Sequence, residues 1–71
     1  MLLHVEIDQE ADGRWIAEIA DLPGVMAYGP TPGRAVCDAK VLALRVLADR
    51  LAAGELHPDD LPRVSFVQAT G

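Results

Sequence analysis

Leu3, Val5 and Ile7 alternate with His4, Glu6 and Asp8 near the start of the chain. That two-residue period is the pattern of a strand with one buried face. Ala11-Asp12-Gly13 interrupts it, and an Asp-Gly pair between two such runs signals a hairpin. The second run, Arg14 to Ile19, puts Trp15, Ala17 and Ile19 on one face and Arg14, Ile16 and Glu18 on the other. Because both faces carry an apolar residue, this strand is expected to be central or partly covered on its second side. Asp21-Leu22-Pro23-Gly24 reads as a turn, since Pro presets φ and Gly supplies a positive one. Val25 to Tyr28 then reads as a third, short strand, completing an antiparallel meander.

Beyond the meander the period lengthens to that of a helix. Thr31 is a good N-cap, and Pro32 suits the first helical position, where its missing N–H costs nothing. The helix is expected from about Pro32 to Ala53, stopping at Gly54. Arg34, Asp38, Arg45 and Asp49 share one face and form its solvent stripe. Ala35, Ala39, Ala43 and Val46, with Val36 and Leu47, line the opposite side, and the small alanines let the helix lie close to a sheet. A further apolar strip of Val41, Leu44, Ala48 and Leu51, with Cys37, is more than one side of a two-layer domain can bury. Either the 55–63 loop covers it or it is an interface between copies or with a partner. Glu55 to Arg63 reads as a connecting loop with a short helical turn at Pro58-Asp59-Asp60-Leu61, and Val64 to Gln68 as a last strand with Val64, Phe66 and Gln68 on one face. The predicted fold class is α+β in the order β-β-β-α-β, one domain over residues 1–71.

A chain of 71 residues buries only about 60% of the surface its unfolded form exposes, so covering more surface against another molecule would help it. Apolar residues make up 51%, far above a disordered composition, so folding is expected. The net charge is −5, all of it in residues 1–29, where Glu6, Asp8, Glu10, Asp12, Glu18 and Asp21 face Arg14 alone. Such a surface repels phosphate backbones and steers a basic partner, so direct nucleic-acid binding is not expected. No apolar run approaches the roughly 20 residues that span a membrane, and no basic leader precedes Glu6. The single cysteine suits a reducing cytoplasm and excludes an internal disulfide.

Candidate chemistry is sparse. His4 and His57 lack further ligands at zinc spacing and read as surface histidines. Ser65 has no glycine-flanked elbow, and Cys37, mid-helix among apolar neighbours, has no basic activator, so both read as structural. The best enzymatic case is a carboxylate pair, Asp8 on the first strand and Asp38 on the helix, holding a divalent metal for phosphoester hydrolysis. Gly29-Pro30-Thr31-Pro32-Gly33 contains two prolines that lack backbone donors, and reads as a strand-to-helix turn, not a phosphate cradle.

Asp12-Gly13-Arg14-Trp15-Ile16-Ala17-Glu18-Ile19, followed by Asp21-Leu22-Pro23-Gly24, resembles the N-terminal motif of HicB-like antitoxins, in which an acidic-Gly turn leads into a strand and a DLPG turn. Gly29-Pro30-Thr31 resembles that family's Gly-x-Thr, and Ala35, Asp38-Ala39 and Ala43-Leu44 resemble the alanine-spaced helix after it. The likeness spans about residues 3–54. The resemblance implies a trimmed ribonuclease-H-like layout without that enzyme's activity or cofactors. It further implies a role in a bacterial toxin–antitoxin system, neutralising a small basic HicA-type mRNA interferase by covering its active face. Gly33 and Arg34 stand where the family's helix start is usually acidic, and Val25 and Ala27 stand where cysteine or threonine is common. No helix-turn-helix or ribbon-helix-helix segment follows, so operator binding is not expected of this chain.

These readings combine into a cytoplasmic, non-enzymatic interaction protein that needs no cofactor or metal. Its partner-binding residues are expected to be Glu6, Asp8, Trp15, Glu18, Asp21 and Tyr28. Val41, Leu44, Ala48 and Leu51 are expected to form a homodimer or higher oligomer. The alternatives are a stand-alone oligomeric module without a toxin, or a metal-dependent nuclease built on Asp8 and Asp38.

Overall fold

The computed structural model describes residues 1–68, apart from the side chains of 60–62. The elements are β1 (Leu2–Gln9), β2 (Trp15–Ile19), β3 (Met26–Gly29), α1 (Pro32–Ala52), a 3₁₀ turn (Pro58–Arg63) and β4 (Ser65–Gln68). They form a four-stranded mixed sheet in the order β3-β2-β1-β4, with α1 packed on one face, so the α+β class and element order are as expected. β1 pairs antiparallel with β2, placing Val5 opposite Ile19 and Ile7 opposite Ala17. β2 pairs antiparallel with β3, and β4 returns to pair parallel with β1, Leu3 beside Phe66.

The connections follow from local chemistry. The Glu10 N–H donates to the Arg14 carbonyl and the Gly13 N–H to the Glu10 carbonyl, closing the first hairpin around Ala11–Gly13, with Gly13 at φ 93°. Asp12 braces it, accepting from the Arg14 backbone N–H at 3.0 Å and from its guanidinium at 2.7 Å. In the second loop Leu22 and Val25 turn inward and are buried, so the turn also plugs the core. α1 starts at Thr31, whose hydroxyl accepts from the Arg34 N–H at 3.1 Å, with Pro32 in the first turn. It ends one residue earlier than expected, in a closed cap. The Gly54 N–H donates to Leu51 and the Glu55 N–H to Arg50, with Gly54 at φ 78°, a left-handed conformation that a Cβ would strain.

The core lies between α1 and the sheet: Leu3, Val5, Ala17 and Ile19 from the strands meet Ala35, Val36, Ala39, Ala43 and Leu47 from the helix. Three alanines at four-residue spacing let the helix axis sit low over β2 and β3. At its first turn the approach is closest, because a Cβ added to Gly29 would stand 2.7 Å from the Ala35 backbone nitrogen. Among the described residues no helix is long and apolar enough to cross a membrane.

Candidate functional site

α1 covers one face of the sheet, and among the described residues the other face is open. Strand alternation assigns its members: His4, Glu6 and Asp8 from β1, Ile16 and Glu18 from β2, Met26 and Tyr28 from β3. Leu2 at the start of β1 and Val67 on β4 lie on the same side. Leu2, Met26, Tyr28 and Val67 are all substantially exposed. β2 is internal to the sheet, as its two-sided apolar pattern suggested, yet among the described residues nothing covers its second side, where Ile16 is half-buried among the acids.

Register concentrates the negative charge. Glu6 stands directly opposite Glu18, and Asp8 opposite Ile16. Together with Glu10 these side chains line a shallow depression. Like charges directly opposite each other on antiparallel strands are destabilising. Among the described residues no cation lies within ion-pair distance of Glu6, Asp8 or Glu18. Asp8 accepts from the neighbouring Gln9 N–H, at 2.8 Å. Tyr28 closes one end of the face beneath the Arg14 guanidinium, 4.6 Å from its ring centroid, and that Arg14 charge is already matched by Asp12.

Of the six residues expected to meet a partner, Glu6, Asp8, Glu18 and Tyr28 share this face. Trp15 does not: it pairs with Gln9 and Gly29 at the end of β2, on the helix side, half-buried against the core. Its phase on the strand follows Ala17 and Ile19, and burying an indole outweighs any use of it on the wet side. Asp21 serves the fold itself. Its carboxylate accepts from the His4 backbone N–H and lies 3.1 Å from the His4 Nδ1, tying the second loop to β1. Met26 and Leu2 are exposed members of the face that residue chemistry alone did not single out; the alternation of their strands carries the signal.

Asp21 and Asp12 are both held below the ordinary carboxylate range. The main cause for Asp21 is the bond from the His4 N–H, aided by the His4 ring; for Asp12 it is the bond from the Arg14 N–H, aided by the Arg14 guanidinium. A carboxyl depressed on folding contributes stability above its unfolded value and loses it as pH falls through its folded value. The unfolding midpoint in urea is therefore expected to fall as pH drops below about 4, the unfolded carboxylate range, and Asp21→Asn to flatten that fall. A slope unchanged in Asp21→Asn would show that the loop is held by other contacts.

The remaining candidates disperse. Asp8 lies on the open face, whereas Asp38 lies on α1 across the sheet, so the fold does not join the two carboxylates of the nuclease alternative. Among the described residues no group of three or more His, Cys, Asp or Glu could hold a metal ion. His57 is exposed and accepts from the Asp59 N–H, and Ser65 is exposed on β4. Cys37, expected to be structural, is exposed on α1, because the helical period turns it away from the sheet that its apolar neighbours face. Of the expected oligomer strip, Val41, Leu44 and Ala48 are exposed and Leu51 is half-buried. No family model, no curated protein and no solved structure matches this chain.

Proposed function

We propose that this chain is an interaction protein of the HicB-like kind, which binds a small basic HicA-type mRNA interferase in the cytoplasm through the open face of its sheet and so neutralises it. The observation that carries the reading is the uncompensated cross-strand pair Glu6 and Glu18, with Asp8 beside it, on a sheet face left bare by the fold. A like-charged pair that weakens the sheet by a few tenths of a kcal/mol makes sense where a partner brings the cations. Exposed Leu2, Met26, Tyr28 and Val67 supply apolar contact around that acidic centre, as interface cores require. The β-β-β-α-β order and the DLPG turn support the trimmed ribonuclease-H-like assignment.

Capture of the tagged protein from its native cell at low salt is expected to bring down a stoichiometric small basic protein, released as salt rises. Glu6→Gln with Glu18→Gln should raise the melting temperature slightly while weakening that capture, and Glu6→Lys with Glu18→Lys should abolish it. Retention of the partner by the lysine variant would refute the acidic-face reading. Exposed Val41, Leu42 and Leu44 on α1 favour a second reading, a self-associating module of the same fold without a toxin. Recovery of the chain alone would promote it.

A further inference from the structure

The outward stripe of α1 is a palindrome with inverted charge. Arg34, Asp38, Val41, Leu42, Arg45 and Asp49 follow one another at intervals of four, three, one, three and four residues. Counted outward from the midpoint between Val41 and Leu42, Asp38 and Arg45 stand equally far on either side, and Arg34 and Asp49 equally far beyond them. At about 1.5 Å of rise per residue these distances are about 5 Å and about 11 Å. Each position therefore mirrors one of opposite charge, and the centre is apolar. Val41 and Leu42 are exposed at 41% and 37%. Asp38, Val41, Leu42 and Arg45 line one shallow pocket, and their i, i+3, i+4, i+7 spacing is that of a hole that accepts a knob from a facing helix.

We infer that α1 pairs with α1 of a second copy, antiparallel, about a two-fold axis passing between Val41 and Leu42. A two-fold contact is self-complementary, so residue i meets j and j meets i. Asp38 then meets Arg45 of the second copy, Arg34 meets its Asp49, and each contact occurs twice. Parallel pairing in register would instead set Arg34 on Arg34 and Asp38 on Asp38, which charge forbids. The inner pairs, close to the axis, meet at any common crossing angle; the outer pairs require the shallow crossing near 20° of bundle helices. Within one chain Arg34 reaches Asp38 at 3.3 Å, while among the described residues Arg45 and Asp49 have no ion pair, leaving them for the second copy. The contact is one helix wide and at the small end of specific interfaces, so a weak, concentration-dependent dimer is expected. Cys37 lies 4.5 residues from the axis, which sets the two thiols about 13 Å apart along it, too far to bridge.

This geometry deepens the self-association reading and does not depend on the toxin, so the test needs only the purified chain. Sedimentation equilibrium under reducing conditions is expected to show the wild type passing from the 7.6 kDa monomer to twice that mass between about 5 and 500 µM. Asp38→Arg and Arg45→Asp singly turn both inner pairs repulsive and should each weaken the dimer at least tenfold. Asp38→Arg combined with Arg45→Asp restores opposite charges across the axis and should return to within threefold of wild type. Leu42→Glu keeps both charge pairs but sets two carboxylates at the axis, and should be monomeric. All three positions are exposed or half-buried, and far-UV circular dichroism confirms folding. A wild type that stays monomeric at 500 µM overturns self-association altogether. A dimer indifferent to the single reversals, or not rescued by the double one, overturns this register.

Discussion

Gly29→Ala is expected to lower unfolding stability by about 3 kcal/mol, because overpacking here sets a methyl group against main chain. The added Cβ would lie 2.7 Å from the Ala35 nitrogen and 3.2 Å from both the Ala35 Cα and the Arg34 carbonyl carbon. Side chains can rotate out of such a contact; these atoms cannot. On one side Gly29 is held by pairing with Trp15 on β2. On the other, the first turn of α1 is fixed by the Thr31 cap. Relief requires lifting the helix off β3, which opens the core around Ala35 and Ala39. Gly33→Ala is the control. Its Cβ would meet nothing within 4 Å, so it should be neutral or add up to about 1 kcal/mol, as Ala replacing Gly in a helix does. Urea unfolding followed by the fluorescence of Trp15, the one tryptophan, separates the two. Equal midpoints for wild type and Gly29→Ala would disprove the close approach.

Leu47→Ala is expected to cost about 2–4 kcal/mol, the usual loss for a fully buried leucine. Leu47 is 1% exposed, and its position gives it leverage. The buried residues of α1 run Ala35, Val36, Ala39, Ala43 and Leu47, so the large buried side chain of the C-terminal half is Leu47 itself. Beyond it along the chain, Leu51 is half-buried and Leu56 packs partly against the core. The loss should therefore appear first as faster amide exchange over 48–53, before global unfolding. Leu44→Ala, at a site 51% exposed, should change monomer stability by less than about 0.5 kcal/mol. Equal costs at the two positions would mean that the helix does not dock as described.

Local chemistry made most of the elements legible. The Asp12-Gly13 loop, the Pro23-Gly24 turn, the Thr31 cap and the Gly54 stop each act within a few residues, and each stands where the chain signals it. The spacing of Ala35, Ala39 and Ala43 named the buried side of α1. What the chain does not signal locally is partnership at long range. β4 lies parallel to β1, and that pairing depends on where the helix delivers the chain, not on residues 65–68 themselves. Face assignment on β2 was ambiguous for the same reason, since Trp15 and Ile16 are both apolar and only the helix decides which is inside. Asp21 looked like one acid among several on a charged segment. Its bond to the His4 N–H exists because the second loop folds back over β1.

A sheet covered on one side only also fixes the valence of any assembly. If two copies meet through their helices, both helices occupy the centre, and the two acidic sheets look outward in opposite directions. Each can then be occupied without crowding the other, giving two copies of the chain and two of a basic partner. A partner that is itself paired would be retained by effective concentration as well as by contact, holding longer than either single face could hold it.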